Sequence, residues 1–278
     1  MTSSGSVFNN LPSRYDTLQK QCLPNWQTFF ATVIEFIPES ISESIPESIP
    51  ESISKLIPES IPEETERKKE KKNREIEILE LGSGTGFLTS LIRKKRPDAR
   101  ITCIDRNSEM LAVAKEKPEL QKNVTFIEGD ILEECEKWKE KPGWQKKSGW
   151  KENPEIKGKF DAVVSTQCLF SLPPDAKTRI FRRIYEALKP DGRFIEGDIF
   201  RPESEWEEEI YRAHWKRYMV EQELTVQEAE EMLGTFEDVR EKIDTPEKFR
   251  KRLEEAGFKW VFCPYWYEMY AIFVGNIT

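Results

Sequence analysis

Histidine is the scarcest reactive residue in this chain, since His214 is the only one among 278 residues. Structural zinc needs closely grouped thiolate or imidazole ligands, and disulfide frameworks need regularly paired cysteines. The five cysteines contain no C-x-x-C pair: Cys22, Cys103, Cys135, Cys168 and Cys263. The sequence therefore predicts neither a metal site nor a disulfide scaffold, and we expect Cys103 and Cys168, which lie in apolar surroundings, to be buried core thiols.

Long apolar runs are also missing. No stretch approaches the roughly 18 residues that a membrane-spanning helix requires. The N-terminus, MTSSGSVFNN, lacks the charged and apolar regions of a signal peptide. Charged residues make up 34% of the chain, and the formal net charge is −8. Length and composition predict a cytoplasmic protein with one substantial core and no membrane contact.

The chain does contain a glycine turn between a predicted strand and a predicted helix. The apolar run 76–79 leads into Glu80-Leu81-Gly82-Ser83-Gly84-Thr85-Gly86, and residues 87–92 have the pattern of a helix start. Glycines at alternate positions let the backbone turn sharply and approach a ligand, and the helix that follows offers free N–H groups. A nucleotide-type cofactor is predicted, although Phe87 stands where the dinucleotide fingerprint needs its last glycine.

Further strand-like runs follow, and polar residues stand where several of them end. Residues 101–104 lead to Asp105, which stands about 20 positions after the glycine loop, where a doubly wound sheet places a carboxylate for ribose hydroxyls. Residues 124–127 lead to Gly129-Asp130, residues 160–164 lead to Ser165-Thr166, and residues 188–195 form another such run. Each polar residue also has an ordinary interpretation as a turn or strand cap. Because these polar residues follow successive strands in this order, they are predicted to lie together at the edge of an open sheet where ligands bind.

These segments resemble the motifs of class I S-adenosylmethionine (SAM) dependent methyltransferases, especially small prokaryotic ones. The matching patterns are E/D-x-G-x-G-x-G, F-D-x-V and L-K-P-G-G, although the last reads Leu188-Lys189-Pro190-Asp191-Gly192 here. The resemblance implies an α/β fold with a Rossmann-like doubly wound sheet, mostly parallel, with a C-terminal antiparallel hairpin, a helical N-terminal lid and a helical cap. It implies SAM as cofactor and in-line methyl transfer to an unidentified acceptor, which we expect to be a small molecule. The implied cofactor-binding residues are Trp26, Glu80, Gly82, Ser83, Gly84, Gly86, Asp105, Arg106, Met110, Asp130, Ile131, Ser165 and Thr166.

Within that family, Asp130 would face the adenine amino group, and the residues that end the 160–166 run would touch the methionine part of SAM. On this interpretation the chain divides into a lid at 1–37, a linker at 38–74 and a SAM-binding domain at 75–278. The domain contains a loop insertion at 134–159 and a helical cap at 204–250.

The linker is a degenerate Ile-Pro-Glu-Ser repeat. Its isoleucines recur every four residues, but prolines at positions 38, 46, 50, 58 and 62 exclude a continuous helix. The insertion carries Trp138, Trp144 and Trp150 six residues apart among lysines. Such a segment can stack on single-stranded nucleic acid or form a solvated loop over the sheet edge, and the acidic balance of the chain favours the loop.

The N-terminal segment contains Arg14-Tyr15-Asp16 and Leu23-Pro24-Asn25-Trp26. It resembles the R-Y-D and P-x-aromatic pattern of methyltransferase-like proteins in which a helix closes over the cofactor. Trp26 would then touch SAM. The alternative is that Trp26 packs this helix onto the sheet.

Residues 204–233 are predicted to form one long helix, started by an S-x-x-E box at Ser204 and ended at Gly234. Its W-K-R and L-T-x-x-E segments also resemble carboxy-SAM synthase, an enzyme of tRNA wobble-uridine modification, in which an arginine matching Arg217 holds the extra carboxylate. The alternative for Arg217 is an exposed helix charge. Tyr211 and His214 are the other catalytic candidates on this helix. A SAM-binding protein without catalysis and an RNA-binding protein remain alternative functions.

Overall fold

The computed structural model describes residues 11–39, 75–136 and 158–278. Almost all of the predicted linker and most of the predicted insertion, including its three tryptophans, lie outside these residues. The interpretations of the Ile-Pro-Glu-Ser repeat and of the Lys/Trp loop therefore stay predictions.

One seven-stranded sheet organises the described chain, and its strand order is β3-β2-β1-β4-β5-β7-β6. The first five strands pair in parallel, whereas β7 runs antiparallel to both β5 and β6. The predicted Rossmann-like sheet with a C-terminal antiparallel hairpin is confirmed. The strands are β1 Glu77–Leu81, β2 Arg100–Asp105, β3 Val124–Glu128, β4 Phe160–Thr166, β5 Leu188–Ile199, β6 Trp260–Tyr267 and β7 Tyr270–Asn276.

Helices cover both faces of this sheet. The helices are α1 Leu11–Cys22, α2 Trp26–Glu35, α3 Phe87–Lys95, α4 Ser108–Glu116, α5 Ile131–Glu136, α6 Pro174–Ala187, α7 Glu205–Glu221, α8 Val226–Val239 and α9 Pro246–Ala256. Because successive strand residues point to opposite faces, Ile78 belongs to one apolar cluster with α2 and α3, while Leu79 belongs to another with α6 and α9. The carboxyl ends of β1, β2, β4 and β5 meet at one edge, next to which α1 and the cap helix α7 pack against each other.

The cap consists of two helices, so the prediction of a single helix over 204–233 is wrong. The backbone is left-handed at Glu223, with φ of 72°. Thr225 then starts α8 with a complete capping box to Glu228. This T-x-x-E signal is present in the sequence, and it outweighs the continuous helical periodicity around it. Ser204 caps α7 as predicted, whereas Gly234 lies inside α8.

Candidate cofactor-binding site

Three glycines shape the turn between β1 and α3. Gly82, Gly84 and Gly86 have φ values of 73°, 52° and 73°, the left-handed region that side chains disfavour. A Cβ atom on Gly82 would lie 2.2 Å from the sulfur of Cys168, and one on Gly86 would lie 2.7 Å from Leu120 Cδ1. The backbone conformation therefore favours glycine at all three positions, and close packing adds to this requirement at Gly82 and Gly86.

Asp105, at the end of β2, lies directly beside this loop. Its Oδ2 accepts a hydrogen bond from the Gly84 N–H at 2.7 Å, and its Oδ1 accepts one from the Asn107 N–H at 2.8 Å. A carboxylate has about four acceptor positions, so these two bonds orient Asp105 and leave capacity for ribose hydroxyls. The structure brings Asp105 and the glycine loop together, and its ribose role stays a prediction.

Glu80 lies in the interior between β1, β2 and α3. Its Oε2 accepts a hydrogen bond from the Thr89 hydroxyl at 2.7 Å and lies 3.8 Å from the Cys103 sulfur. Burial raises the pKa of Glu80 to about 7, although the Thr89 hydrogen bond acts in the opposite direction. These contacts give Glu80 a supporting position next to the loop, and direct contact with the cofactor stays a prediction.

Several buried polar atoms of the described chain in this region have no hydrogen-bond partner. They include the hydroxyls of Ser83 and Ser165, which lie in the turn after β1 and near the end of β4 respectively, and Oε1 of Gln19 on α1. The hydroxyl or amide oxygen of a buried residue usually has a partner. Ser83, Ser165 and Thr166 thus lie at the predicted edge, where a polar ligand would satisfy such atoms.

The other predicted contacts are spread along the same edge. Asp130 accepts a hydrogen bond from the Leu132 N–H at 2.9 Å, so it caps α5, and Ile131 is the first residue of that helix. Met110 is buried in the first turn of α4, and Arg106 is exposed just before that helix. The capping role of Asp130 is observed, whereas its contact with adenine stays a prediction.

The lid helix α1 contacts the glycine loop through two residues that the sequence interpretation did not select. Asp16 accepts hydrogen bonds from the Thr85 hydroxyl at 2.5 Å and from the Lys117 ammonium at 2.7 Å. A Cβ atom built on Gly84 would lie 3.8 Å from Cε1 of Tyr15, and burial raises the pKa of the Tyr15 phenol. The R-Y-D motif contained this signal, although only Trp26 was chosen from the lid.

Trp26 begins α2 and packs edge-on against Phe87, with ring centroids 6.1 Å apart. The ammonium of Lys20 lies 5.3 Å from the Trp26 ring centroid. This is the packing role that the sequence left as the alternative. A contact between Trp26 and the cofactor stays a prediction.

The two cysteines expected in the core differ. Cys103 is fully buried, as predicted, whereas Cys168 is only partly buried and lies against Gly82. Cys168 packs against the apolar cluster that contains Leu79, so it lies at the border of the core. Burial, together with the nearby acidic residues Glu196 and Asp198, raises the pKa of its thiol well above the usual value.

The catalytic candidates on α7 have partners within the cap and the C-terminal hairpin. Tyr211 donates a hydrogen bond to Glu207 at 2.8 Å, which raises the pKa of its phenol. His214 Nδ1 lies 2.9 Å from Oε1 of Glu268. Arg217 is exposed on the side of α7 away from its buried residues. None of these contacts connects Tyr211, His214 or Arg217 to the glycine loop.

The residues present fit a SAM cofactor. The glycine loop lets a ligand approach the backbone, Asp105 offers acceptors for hydroxyls, and the partnerless atoms of Ser83 and Ser165 lie nearby. Within the described ranges, no helix is long and apolar enough to cross a membrane. Nor does any group of three or more His, Cys, Asp or Glu side chains in those ranges suit a metal ion.

The strand order, the glycine loop and the carboxylate after β2 have the arrangement of the class I SAM-dependent methyltransferase fold. A family model described as a methyltransferase domain matches residues 72–257, more than half of the chain. The chain belongs to this methyltransferase domain family. The predicted family, fold and cofactor are confirmed.

Curated relatives match over part of their length. A malonyl-[acyl-carrier protein] O-methyltransferase of Priestia megaterium is 34% identical over 123 residues, which are 44% of this chain and 36% of the relative. A phosphoethanolamine N-methyltransferase of Plasmodium falciparum is 27% identical over 160 residues, which are 57% of this chain and 51% of the relative. The chain thus matches between about a third and about a half of the length of these relatives.

A solved structure extends the likeness over most of the fold. The phosphoethanolamine N-methyltransferase 2 of Haemonchus contortus, solved with phosphomonomethylethanolamine and S-adenosylhomocysteine, superposes with a TM-score of 0.52 at 16% identity. The match covers 92% of this chain and 43% of that one. At this identity the likeness shows the fold alone.

Proposed function

We propose that this protein is a cytoplasmic enzyme that transfers a methyl group from SAM to a small-molecule acceptor. The observation that supports this proposal best is the three-glycine turn, whose central amide is bound by the Asp105 carboxylate. When bound, SAM supplies a sulfonium methyl group that is already activated toward a nucleophile. Orientation of the acceptor then contributes most of the catalysis, on the order of 7–11 kcal/mol.

In this proposal, different residues of the chain bind different parts of the cofactor. Asp105 holds the ribose hydroxyls and Asp130 the adenine amino group, while Gly82 and Gly84 let the backbone come close. Ser165 and Thr166, at the end of β4, lie at the methionine part. Tyr15 covers the loop from α1 and limits the access of water to it.

The acceptor approaches beside α1 and α7 in this proposal. The relatives act on different atoms, as their names say: one is an O-methyltransferase and the other an N-methyltransferase. An amine acceptor needs no strong base. A hydroxyl acceptor needs one, and His214 is the candidate because its contact with Glu268 would orient the imidazole ring.

The proposal is tested first by mass spectrometry of the nucleotide released when the undialysed protein is denatured. SAM or S-adenosylhomocysteine is expected. Carboxy-SAM would overturn the assignment of the methyl donor and restore Arg217 as a candidate carboxylate ligand.

Titration calorimetry with SAM provides the second test. Asp105→Asn is expected to weaken binding roughly tenfold or more, because it removes a charged acceptor from the loop. Asp98→Asn, at an exposed turn residue, is the matched control. Equal affinity of Asp105→Asn and the wild type would refute the ribose assignment. SAM binding without methyl transfer to any acceptor in a broad panel would favour the non-catalytic alternative.

A further inference from the structure

Two carboxyl groups near the end of β5 are buried without any role in the proposed cofactor contacts. Glu196 and Asp198 are both 1% exposed. They stand two positions apart on one strand, and therefore on the same face of the sheet. Burial raises the pKa of both side chains, and a hydrogen bond joins them. Two neighbouring buried carboxyl groups ionise less readily together than either would alone.

Asp198 accepts hydrogen bonds from two backbone amides. Its Oδ2 accepts a hydrogen bond from the Phe170 N–H at 3.1 Å, and its Oδ1 accepts one from the Ile199 N–H at 2.8 Å. Phe170 lies 28 residues earlier in the chain, in the segment 167–172 that joins β4 to α6. Charged hydrogen bonds of this kind are stronger than neutral ones, and they weaken when the carboxylate is protonated.

The segment 167–172 lies against the glycine loop. At one end the Gln167 N–H donates to the Gly197 carbonyl at 3.0 Å, and Gln167 is left-handed with φ of 51°. The next residue, Cys168, lies against Gly82. The position of Cys168 over the glycine loop is therefore fixed from β5, by Gly197 on one side and Asp198 on the other.

A small cavity of about 10 Å³ borders this pair, enough for roughly one water molecule. The cavity is lined in part by Glu196, Asp198, Lys177 and Asp244. The charged and titratable groups that face the pair come from every neighbouring element: Lys177 on α6, Asp244 before α9, Cys168 in the segment and Tyr270 on β7. Lys177 is itself paired with Asp244 at 3.3 Å, so it only partly offsets the charge of Asp198.

We propose that Asp198 is a positioning residue of the cofactor site: it holds the segment 167–172 against the glycine loop and so sets the affinity of that loop for SAM. Asp198 acts through Phe170 and Cys168 and does not touch the cofactor. This inference rests on the proposed function, because it assumes that the glycine loop binds SAM.

The experiment compares three variants by hydrogen exchange without cofactor and by SAM titration calorimetry. Asp198→Asn replaces one of the two carboxylate oxygens by an NH2 group, which cannot accept a hydrogen bond from the N–H of Phe170 or Ile199. It is expected to speed exchange of the Phe170 amide about tenfold or more and to weaken SAM binding by a similar factor. Glu196→Gln keeps a donor toward Asp198, so both quantities should stay within about threefold of the wild type.

The matched control is Asp161→Asn. Asp161 begins β4 at the opposite edge of the sheet, and its carboxylate also accepts a backbone hydrogen bond, from the Glu77 N–H at 2.9 Å. An equal loss of SAM affinity in this control would show a general effect of stability and would overturn the inference. So would an Asp198→Asn variant with unchanged Phe170 exchange and unchanged affinity.

The wild type provides an independent test should Asp198→Asn not fold. SAM affinity is expected to fall as pH drops below about 6, where Asp198 takes up a proton, and Glu196→Gln should keep this dependence. A constant affinity between about pH 5 and 8, a range that spans this pKa, would overturn the inference. Absence of SAM binding in the wild type at every pH would instead refute the proposed function, while the exchange of the Phe170 amide would still report whether Asp198 holds the segment.

Discussion

Replacement of Glu80 by glutamine is expected to stabilise the protein progressively as pH rises from 4.5 to about 7 and to have little effect below pH 4.5. Glu80 is 2% exposed, and burial raises its pKa from the ordinary value of 4.5 to about 7. A carboxyl group whose pKa is higher in the folded state binds more protons there than in the unfolded state. Its contribution to stability is therefore fully present below pH 4.5 and is lost as pH rises to about 7.

The size of this loss follows from the pKa values. At about 1.4 kcal/mol for each pKa unit, the rise from 4.5 to about 7 corresponds to about 3 kcal/mol of unfolding free energy. The glutamine amide of the variant would keep an oxygen for the Thr89 hydroxyl and would never ionise. Between about pH 4.5 and 8 the wild type should thus lose about 3 kcal/mol more than the Glu80→Gln variant.

Urea unfolding without cofactor, followed at several pH values across about 4.5 to 8, measures this difference. Glu196 and Asp198 change stability with the same sign, but they are present in both proteins and cancel in the comparison. Glu77→Gln, on the same strand at a half-buried position, is the matched control. The same pH dependence in wild type and Glu80→Gln would refute the conclusion that burial controls the ionisation of Glu80.

Three further substitutions test the lid, the loop and the cap. Asp16→Asn weakens the contact of α1 with Thr85 and should lower SAM affinity about two- to fivefold in calorimetry; unchanged affinity would show that this contact does not hold the lid. Gly82→Ala should lower the free energy of unfolding by about 1–3 kcal/mol and abolish most SAM binding, because its Cβ would overlap the Cys168 sulfur. Adding Cys168→Gly, which removes both the sulfur and the Cβ atom that would lie 2.6 Å away, should restore part of the lost stability, and no restoration would contradict the overlap. Thr225→Ala removes the cap of α8 and should cost about 1 kcal/mol in urea unfolding with SAM affinity unchanged; a change in affinity would link the cap to the cofactor site.

Local sequence patterns were sufficient to predict that the glycine turn and Asp105 lie together at one edge of the sheet. Gly82, Gly84 and Gly86 are specified by a turn that few other residues can adopt, and Asp105 follows the next strand at a distance that the fold fixes. The carboxyl ends of neighbouring parallel strands meet at one edge, so the order of the motifs alone brings these residues together. The same reasoning predicted the sheet and its final hairpin.

Contacts between distant parts of the chain could not be predicted in the same way. Asp16 is 69 residues from Thr85, and Asp198 is 28 residues from Phe170. Each of these acids looks like an ordinary surface or turn residue in the sequence, because its partner depends on how helices and segments pack. The break at Glu223 is different, because the capping box that begins at Thr225 is visible in the sequence and could have predicted it. The helical periodicity that continues across the break instead favoured a single long helix.

The lid helix α1 is held by different kinds of contact at its C-terminal end and at its middle. At its C-terminal end the Cys22 carbonyl accepts hydrogen bonds from the indole of Trp215 at 2.7 Å and from the hydroxyl of Tyr270 at 3.3 Å, both buried. At the glycine loop, Asp16, in the middle of α1, is partly exposed and holds Lys117 through an ion pair that water and salt can compete for. Asp16 also accepts a hydrogen bond from the buried Thr85 hydroxyl. Buried donors leave a costly unsatisfied group when their bond breaks, whereas an exposed ion pair does not. The fold therefore fixes α1 to the cap helix α7 and to β7 by its C-terminal end, and at the glycine loop the Thr85 hydrogen bond is the contact that costs most to break.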